Sequence, residues 1–144
     1  MTANSRFAVS LHVLAYLAFR RDEAVSSAEI AASVDTHAVV IRRLLSALTK
    51  AKLVKATKGA AGGFSLAIDP CEVTLLAVYR AMNPQPDRGL RHFAPNQECP
   101  IGAEIESVLD AVFRRARAKM EAELSQISLA DLHAQLAAMC SGKK

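Results

Sequence analysis

The sequence is poor in aromatic side chains: they make up 5% of its 144 residues, and tryptophan is absent. Hydrophobic residues nevertheless account for 51% of the chain, which excludes a disordered protein and is typical of packed aliphatic helices. No apolar run approaches the roughly 20 residues of a membrane-spanning helix, and the N-terminus lacks the layout of a signal peptide. We therefore expect a soluble, cytoplasmic protein that has no membrane partner.

Cysteine is also scarce, with Cys71, Cys99 and Cys140 widely spaced and no C-x-x-C pair among them. An odd, scattered set of this kind excludes a disulfide framework and a zinc-finger or thioredoxin motif. The sequence also lacks a phosphate-binding loop, an H-E-x-x-H motif, a G-x-S-x-G motif and clustered carboxylates. Nothing in it indicates an enzyme, so we expect a protein without catalytic residues.

Carboxylates are missing from one long stretch, because no Asp or Glu lies between Asp35 and Asp69. The basic residues of that stretch are Arg42, Arg43, Lys50, Lys52, Lys55 and Lys58. The net charge of +4 arises entirely in the first half, since residues 1–70 hold nine Lys or Arg against five Asp or Glu, whereas residues 71–144 hold nine of each. Such a stretch indicates a polyanionic partner, and the alternative is a solvated basic face.

Hydrophobic spacing predicts three helices in the first part of the chain, over residues 5–20, 27–34 and 37–51. Ser26 or Ser27 can cap the second helix. The apolar face of the third helix is predicted to contain Val40 or Ile41, Leu44, Leu45 and Leu48. Two short helices, the second basic on its free side, are typical of a helix-turn-helix.

The break before the third helix falls at Asp35 and Thr36, which we expect to supply its cap. After that helix, alternating patterns predict two strands, over residues 53–57 and 64–68. Between them lie Gly59, Gly62 and Gly63, which can take positive φ and let the backbone approach another surface closely. A basic hairpin directly after a helix-turn-helix is a wing, and its tip is expected to lie against a duplex.

The remainder is predicted to be helical around one proline-rich loop. Thr74 caps a short helix over residues 75–82, residues 83–100 form a loop or linker, and a long helix over 101–125 precedes a last helix capped by Ser128. The stripe of the long helix contains Ile105, Leu109 or Val108, Val112, Ala116, Met120 and Leu124. A partner helix would cover this stripe most simply, although intramolecular core is the alternative.

This order of elements resembles the Rrf-two family of bacterial transcription regulators, which includes the IscR and NsrR types. The resemblance runs from about residue 5 to residue 138. Three stretches carry it: VVIRRLLSALTKAKLV at 39–54, KGAAGGFSLAIDP at 58–70 and VTLLAVYRAM at 73–82. It implies a mainly α fold with a small β-hairpin, divided into a winged helix-turn-helix head (1–82), a loop that is a candidate sensor (83–100), and a dimerisation helix with a C-terminal helix (101–144).

The resemblance also implies a homodimer that binds double-stranded DNA at a near-palindromic operator and acts as a repressor. Residues matching those that face the major groove are His37, Val39, Val40, Arg42 and Arg43. Lys58 stands where the family often holds an arginine that reaches into the minor groove; lysine keeps the charge but lacks the planar fork.

The chemistry of each residue leaves alternatives open. Arg42 or Arg43 can donate two bonds to guanine or contact only phosphate. Val40 can instead belong to the core. Contacts to phosphate are expected from Ser26, Ser27, Lys50, Lys58, Gly59, Gly62 and Gly63. A winged-helix module that binds protein instead of DNA is the alternative function, but it would favour an uncharged or acidic third helix.

A sensor is the last feature that the resemblance suggests. Several family members hold an iron–sulfur cluster through three cysteines in the loop before the long helix, whereas this loop has Cys99 alone. His92, Glu98 and Cys99 would make only a partial ligand set, so no cofactor is expected. Cys99 stands at the start of the long helix, where the dipole favours the thiolate, and is therefore a candidate redox switch or else an unreactive capping residue. A small effector between head and long helix is a further candidate partner.

Overall fold

The computed structural model describes residues 3–83 and 94–142, and His92 and most of the expected 83–100 loop lie outside those residues. Within the described residues the chain forms six α-helices and one antiparallel pair of strands, which confirms the predicted mainly α fold with a β-hairpin. The elements are α1 (Ala3–Phe19), α2 (Ser27–Val34), α3 (Ala38–Lys50), β1 (Val54–Thr57), β2 (Gly63–Leu66), α4 (Leu75–Met82), α5 (Pro100–Gln126) and α6 (Leu129–Ser141).

Capping side chains set the bounds of the helix-turn-helix. The Ser26 hydroxyl accepts a hydrogen bond from the Glu29 amide at 3.2 Å, so Ser26, not Ser27, caps α2. The prediction that Asp35 and Thr36 cap the third helix was wrong. Asp35 has φ 59° and ends α2 in the left-handed conformation, while His37 takes the N-cap position of α3 without a side-chain hydrogen bond.

One aliphatic core joins the first four helices to the start of α6. Its fully buried side chains include Leu14, Leu17, Ile30, Ile41, Leu45, Leu48, Val78, Met82 and Leu129. Each such side chain contributes about 1.5–3 kcal/mol relative to an exposed one. Phe7 and Tyr79 add an edge-to-face contact between α1 and α4, with ring centroids 5.6 Å apart. The helix-turn-helix is therefore held on a rigid base.

The hairpin is anchored to the head by a third extended segment, which the sequence pattern did not reveal. Its two strands pair from Val54 with Leu66 to Thr57 with Gly63. Val25, between α1 and α2, pairs with Phe64 through two backbone hydrogen bonds of 2.9 Å and 2.8 Å. The second strand ends at Leu66 and not at residue 68, and Ile68 is partly exposed.

Close packing against Val25 explains why Gly63 has no side chain. A Cβ at this position would lie 2.7 Å from the Val25 carbonyl oxygen and 2.9 Å from its nitrogen. We expect Gly63→Ala to lower the free energy of unfolding by about 1–3 kcal/mol, because the strand must move and both hydrogen bonds to Val25 weaken. Urea unfolding measures this. Gly142→Ala is the control, since a Cβ there meets nothing closer than 3.8 Å; equal effects of the two substitutions would contradict the explanation.

The long helix is tied to the head at its C-terminal end. The Leu75 amide donates to the Ile127 carbonyl at 2.9 Å, and the Leu129 amide donates to the Val73 carbonyl at 2.8 Å. Arg80 on α4 forms an ion pair with Glu121 on α5 at 2.8 Å. Chain reversal into α6 is fixed by a capping box in which the side chains and backbone of Ser128 and Asp131 bond reciprocally.

Candidate nucleic-acid interface

The orientation of α3 decides which of its side chains can reach a duplex. Ile41, Leu44, Leu45 and Leu48 are buried, so this face of the helix is fixed against the core. Ile41, not Val40, occupies the core position that the sequence left open, and Val40 is only half-buried. Val39 is 52% exposed. The free face of α3 therefore presents two valines near its start, followed by two arginines.

Arg42 is held in place by the first helix of the pair. Its Nε donates a hydrogen bond to the Ser27 hydroxyl at 3.2 Å, which links α3 to the N-terminus of α2. The helix N-terminus is itself a favourable position for an anion, because its backbone amides and dipole point outward. This arrangement suits a phosphate contact shared by Arg42 and the start of α2, where the Ser26 hydroxyl is already engaged in capping.

Arg43 and His37 are placed differently from Arg42. Both are exposed, and neither side chain has a hydrogen bond or an ion pair with the part of the chain that the structure describes. Arg43 lies one position further round α3, so its guanidinium is free to form the paired bonds that distinguish guanine in a major groove. His37 lies at the exposed start of the same helix.

The wing, defined here as residues 54–66, carries Lys58 at its exposed tip. The expectation of positive φ applies to Gly59 alone, at 107°, and was wrong for Gly62 and Gly63. A Cβ on Gly62 would lie 2.3 Å from the Thr57 carbonyl oxygen, so this glycine lets the hairpin close on itself. Nothing lies within 4 Å of a Cβ built on Gly59, where the backbone faces open space.

The basic residues of α3, the wing and the turn between them have no carboxylate partner among the described residues. Elsewhere in the described chain Arg20, Arg21, Arg80 and Arg114 each form an ion pair. By contrast, no ion pair involves Arg42, Arg43, Lys50, Lys52, Lys55 or Lys58 within residues 3–83 and 94–142. Their charge is therefore uncompensated on one part of the head, which favours a polyanionic ligand.

Cys99 occupies the N-cap position of α5, as the sequence predicted, and Pro100 opens the helix. The thiol is exposed. Backbone N–H groups of Gly102 and then Ile101 lower the pKa of the Cys99 thiol below its ordinary value. Cys71 is the opposite case, because the carboxylate of Asp69 raises the pKa of its thiol. The pKa values of the Cys99 and Cys71 thiols are thus shifted in opposite directions, each for a physical reason.

Most of α5 has an apolar face that the head does not cover. Val112 is 43% exposed and Met120 is 40% exposed, Ala116 is also exposed, and Ile105 and Leu109 are half-buried. Three further exposed apolar side chains on this helix, which the predicted stripe omitted or offered only as an alternative, are Ile101, Val108 and Phe113. Their spacing of three and four residues could have revealed Ile101 and Val108.

The described residues offer no group of three His, Cys, Asp or Glu side chains that could hold a metal ion. Cys71, Cys99 and Cys140 are all free. Within the same residues, no helix combines the length and apolar character that crossing a bilayer requires.

Comparison with known proteins gives a consistent picture. The model of the Rrf2 family, described as iron-dependent transcriptional regulators, matches residues 3–135. A candidate HTH-type transcriptional regulator of Bacillus subtilis (strain 168), YwnA, is 42% identical over 129 residues, which cover 90% of this chain and 95% of that protein. The crystal structure of a candidate transcriptional regulator from Lactobacillus plantarum superposes with a TM-score of 0.81 at 32% identity, covering 92% of this chain and 89% of that one. T. potens IscR shares the fold, with a TM-score of 0.69, 23% identity, and coverage of 94% and 88%.

Proposed function

The chain belongs to the Rrf2 family of transcriptional regulators, and from that membership we propose that it binds a near-palindromic operator as a homodimer and represses transcription there. In this proposal α3 enters the major groove, with Arg43 on base edges and Val39 and Val40 against thymine methyls. Arg42 with Ser27 holds a phosphate at the start of α2, and the wing follows the backbone of the duplex.

One observation carries the proposal: the cations of α3 and the wing have no carboxylate partner within the described residues, although four arginines elsewhere do. Cations that have no carboxylate partner are available to neutralise phosphates of DNA. Each neutralised phosphate releases its condensed counterion, and this release favours binding. A head that bound protein instead would gain from this concentration of one charge only if the protein surface were acidic.

The homodimer is supported by the uncovered face of α5. Exposed Val108 and Val112 lie one turn apart on a helix of 27 residues, about 40 Å long. A second copy of the same helix would bury these side chains and set the separation of the two heads. We propose that Ile105, Leu109, Val112, Ala116 and Met120 belong to this interface, together with Ile101 and Val108.

Selection from a random duplex library at low salt, followed by binding measurements over a range of salt, tests the proposal. We expect one enriched near-palindromic sequence and a steep fall of affinity with salt. Lys58→Ala should lower the salt slope by about 1, since one phosphate contact is lost, on specific and random duplex alike. Arg114→Ala removes the same charge from α5 and serves as the control. No enrichment of any duplex would favour the protein-interaction alternative.

The family description implies iron, but the described donors do not fit an iron centre, since no group of three His, Cys, Asp or Glu side chains that could hold a metal ion, around Cys99 or elsewhere, occurs within residues 3–83 and 94–142. We propose instead that modification of the Cys99 thiolate tunes DNA binding, because this thiol begins the helix that joins the two copies.

The rate of thiol labelling tests whether Cys99 is more reactive than Cys71. We expect iodoacetamide at neutral pH to modify Cys99 several-fold faster than Cys71, because the thiolate reacts, and the pKa is lowered at Cys99 and raised at Cys71. Peptide mass spectrometry at successive times measures both rates in one sample. The rate at Cys99 should also rise at lower pH than the rate at Cys71. Faster labelling of Cys71 would show that the helix start does not activate Cys99.

A further inference from the structure

One row of side chains on α3 points directly away from the core. Its members are Val39, Arg43, Ser46 and Lys50, which follow one another at spacings of four, three and four residues and are all exposed. At about 100° per residue, the four positions lie within about 30° of the direction opposite to the buried face of α3. Arg42 lies on one flank of this row. If α3 enters a major groove, this row is the part of the helix that meets the base edges.

Ser46 is the member of this row to which the proposed function gives no role. Its hydroxyl forms no hydrogen bond within the described residues. A serine inside a helix commonly turns its hydroxyl back to a carbonyl oxygen of the preceding turn. Ser125 does so with Ala122 at 2.6 Å, and Ser141 does so with Ala137 at 3.0 Å. The Ser46 hydroxyl, by contrast, is free to donate one hydrogen bond and to accept others.

The position and size of Ser46 suit a direct contact with a base. Arg43 and Lys50, about one turn away on either side, have long side chains that can bend aside, whereas the short Ser46 side chain lets the helix backbone come close to the base edges. Arg43 and Ser46 are separated by about 4.5 Å along the helix axis. This distance is close to the rise of about 3.4 Å between successive base pairs. The two side chains therefore reach neighbouring base pairs when α3 lies in the groove.

We propose that the Ser46 hydroxyl forms a hydrogen bond with a base edge in the major groove. It thereby sets the preference at one base pair of each half-site of the operator, next to the pair read by Arg43. A hydroxyl can donate to the N7 or O6 atoms of a purine or accept from the amino group of adenine or cytosine. Because Ser46 carries no charge, it contributes sequence preference and little affinity for random duplex. This inference rests on the proposed function, in which α3 lies in the major groove.

Library selection and binding measurements with Ser46→Ala test the contact. We expect the variant to lose the preference at one base pair of each half-site and to bind the operator about two- to tenfold more weakly per half-site, which corresponds to one neutral hydrogen bond. Affinity for random duplex and the salt slope should not change. The melting temperature should not fall, because alanine favours the helix more than serine and the hydroxyl has no partner to lose. Ser107→Ala is the matched control, since Ser107 is an exposed serine of α5 whose hydroxyl also lacks a partner within the described residues.

Ser46→Leu tests the close approach of the helix. The larger side chain should hold α3 away from the base edges and lower operator affinity further than Ser46→Ala does, while circular dichroism shows a folded protein because the position is exposed. The inference is overturned if Ser46→Ala keeps the parent's preference at every base pair, if it weakens random duplex as much as the operator, or if Ser46→Leu binds the operator as tightly as the parent. Any of these results, with an operator enriched by the parent protein, leaves the proposed function standing. No enrichment by the parent would overturn both.

Discussion

Replacing Val112 with glutamate is expected to leave a folded monomer whose affinity for the operator is about a hundredfold lower or more. Val112 is 43% exposed in the single chain and lies in the middle of the uncovered face of α5, so the head does not need it for folding. In a twofold interface the substitution occurs twice and places two carboxylates where they must be buried. The dimer should therefore dissociate.

The loss in DNA affinity follows from the linkage of the two heads. When one head is bound, the second is held near its half-site at a high effective concentration, which raises affinity about 10²–10⁴-fold over a single head. A monomer loses that gain while α3 and the wing are unchanged. Binding to an isolated half-site should thus be the same for the variant and the parent protein.

Ala118→Glu is the matched control, because it adds the same charge to the same helix away from the apolar face. Sedimentation velocity gives the mass of each variant, and fluorescence anisotropy with full and half operators gives the affinities. A dimeric Val112→Glu protein would remove the α5 face from the proposed interface. If Val112→Glu and Ala118→Glu were both monomeric, the dimer interface would cover a wider surface of α5 than the apolar face.

Much of the fold could be predicted from the sequence because local patterns and packing agree. Apolar residues placed three and four positions apart predicted helices near their observed bounds. The capping residues Ser26, Thr74 and Ser128 all accept the expected backbone hydrogen bonds. Local patterns failed to predict structure that depends on a contact between distant parts of the sequence. The pairing of Val25 with Phe64 joins segments about forty residues apart, and no periodicity signals it.

The candidate interface was predictable as a set of residue types but not in its division of roles. Arg42 and Arg43 are adjacent and have the same side chain, so the sequence cannot assign them different roles. The hydrogen bond from Arg42 to Ser27 in the structure is what distinguishes them. Gly62 and Gly63 were expected to be free for a duplex, whereas their missing side chains first serve contacts with Thr57 and Val25. Whether these glycines also approach phosphates stays a prediction.

Arg43→Ala is expected to weaken binding to the operator by about 1–3 kcal/mol and to leave binding to random duplex nearly unchanged. Arg43 has no partner in the described chain, and its side chain leaves the exposed face of α3 near Val39 and Val40. If it forms two bonds with one guanine, its loss relaxes the preference at one base pair in each half-site. Repeating the library selection with the variant measures that change directly.

Arg42→Ala provides the contrast, because the bond to Ser27 directs this guanidinium toward the start of α2. Its loss should weaken specific and random duplexes by similar amounts and lower the salt slope, as expected for a phosphate contact. Arg114→Ala controls for the loss of one charge outside the head. If Arg42→Ala relaxes the sequence preference and Arg43→Ala does not, the roles of the two arginines are reversed, and the contact with Ser27 positions a base-reading side chain instead of a phosphate clamp.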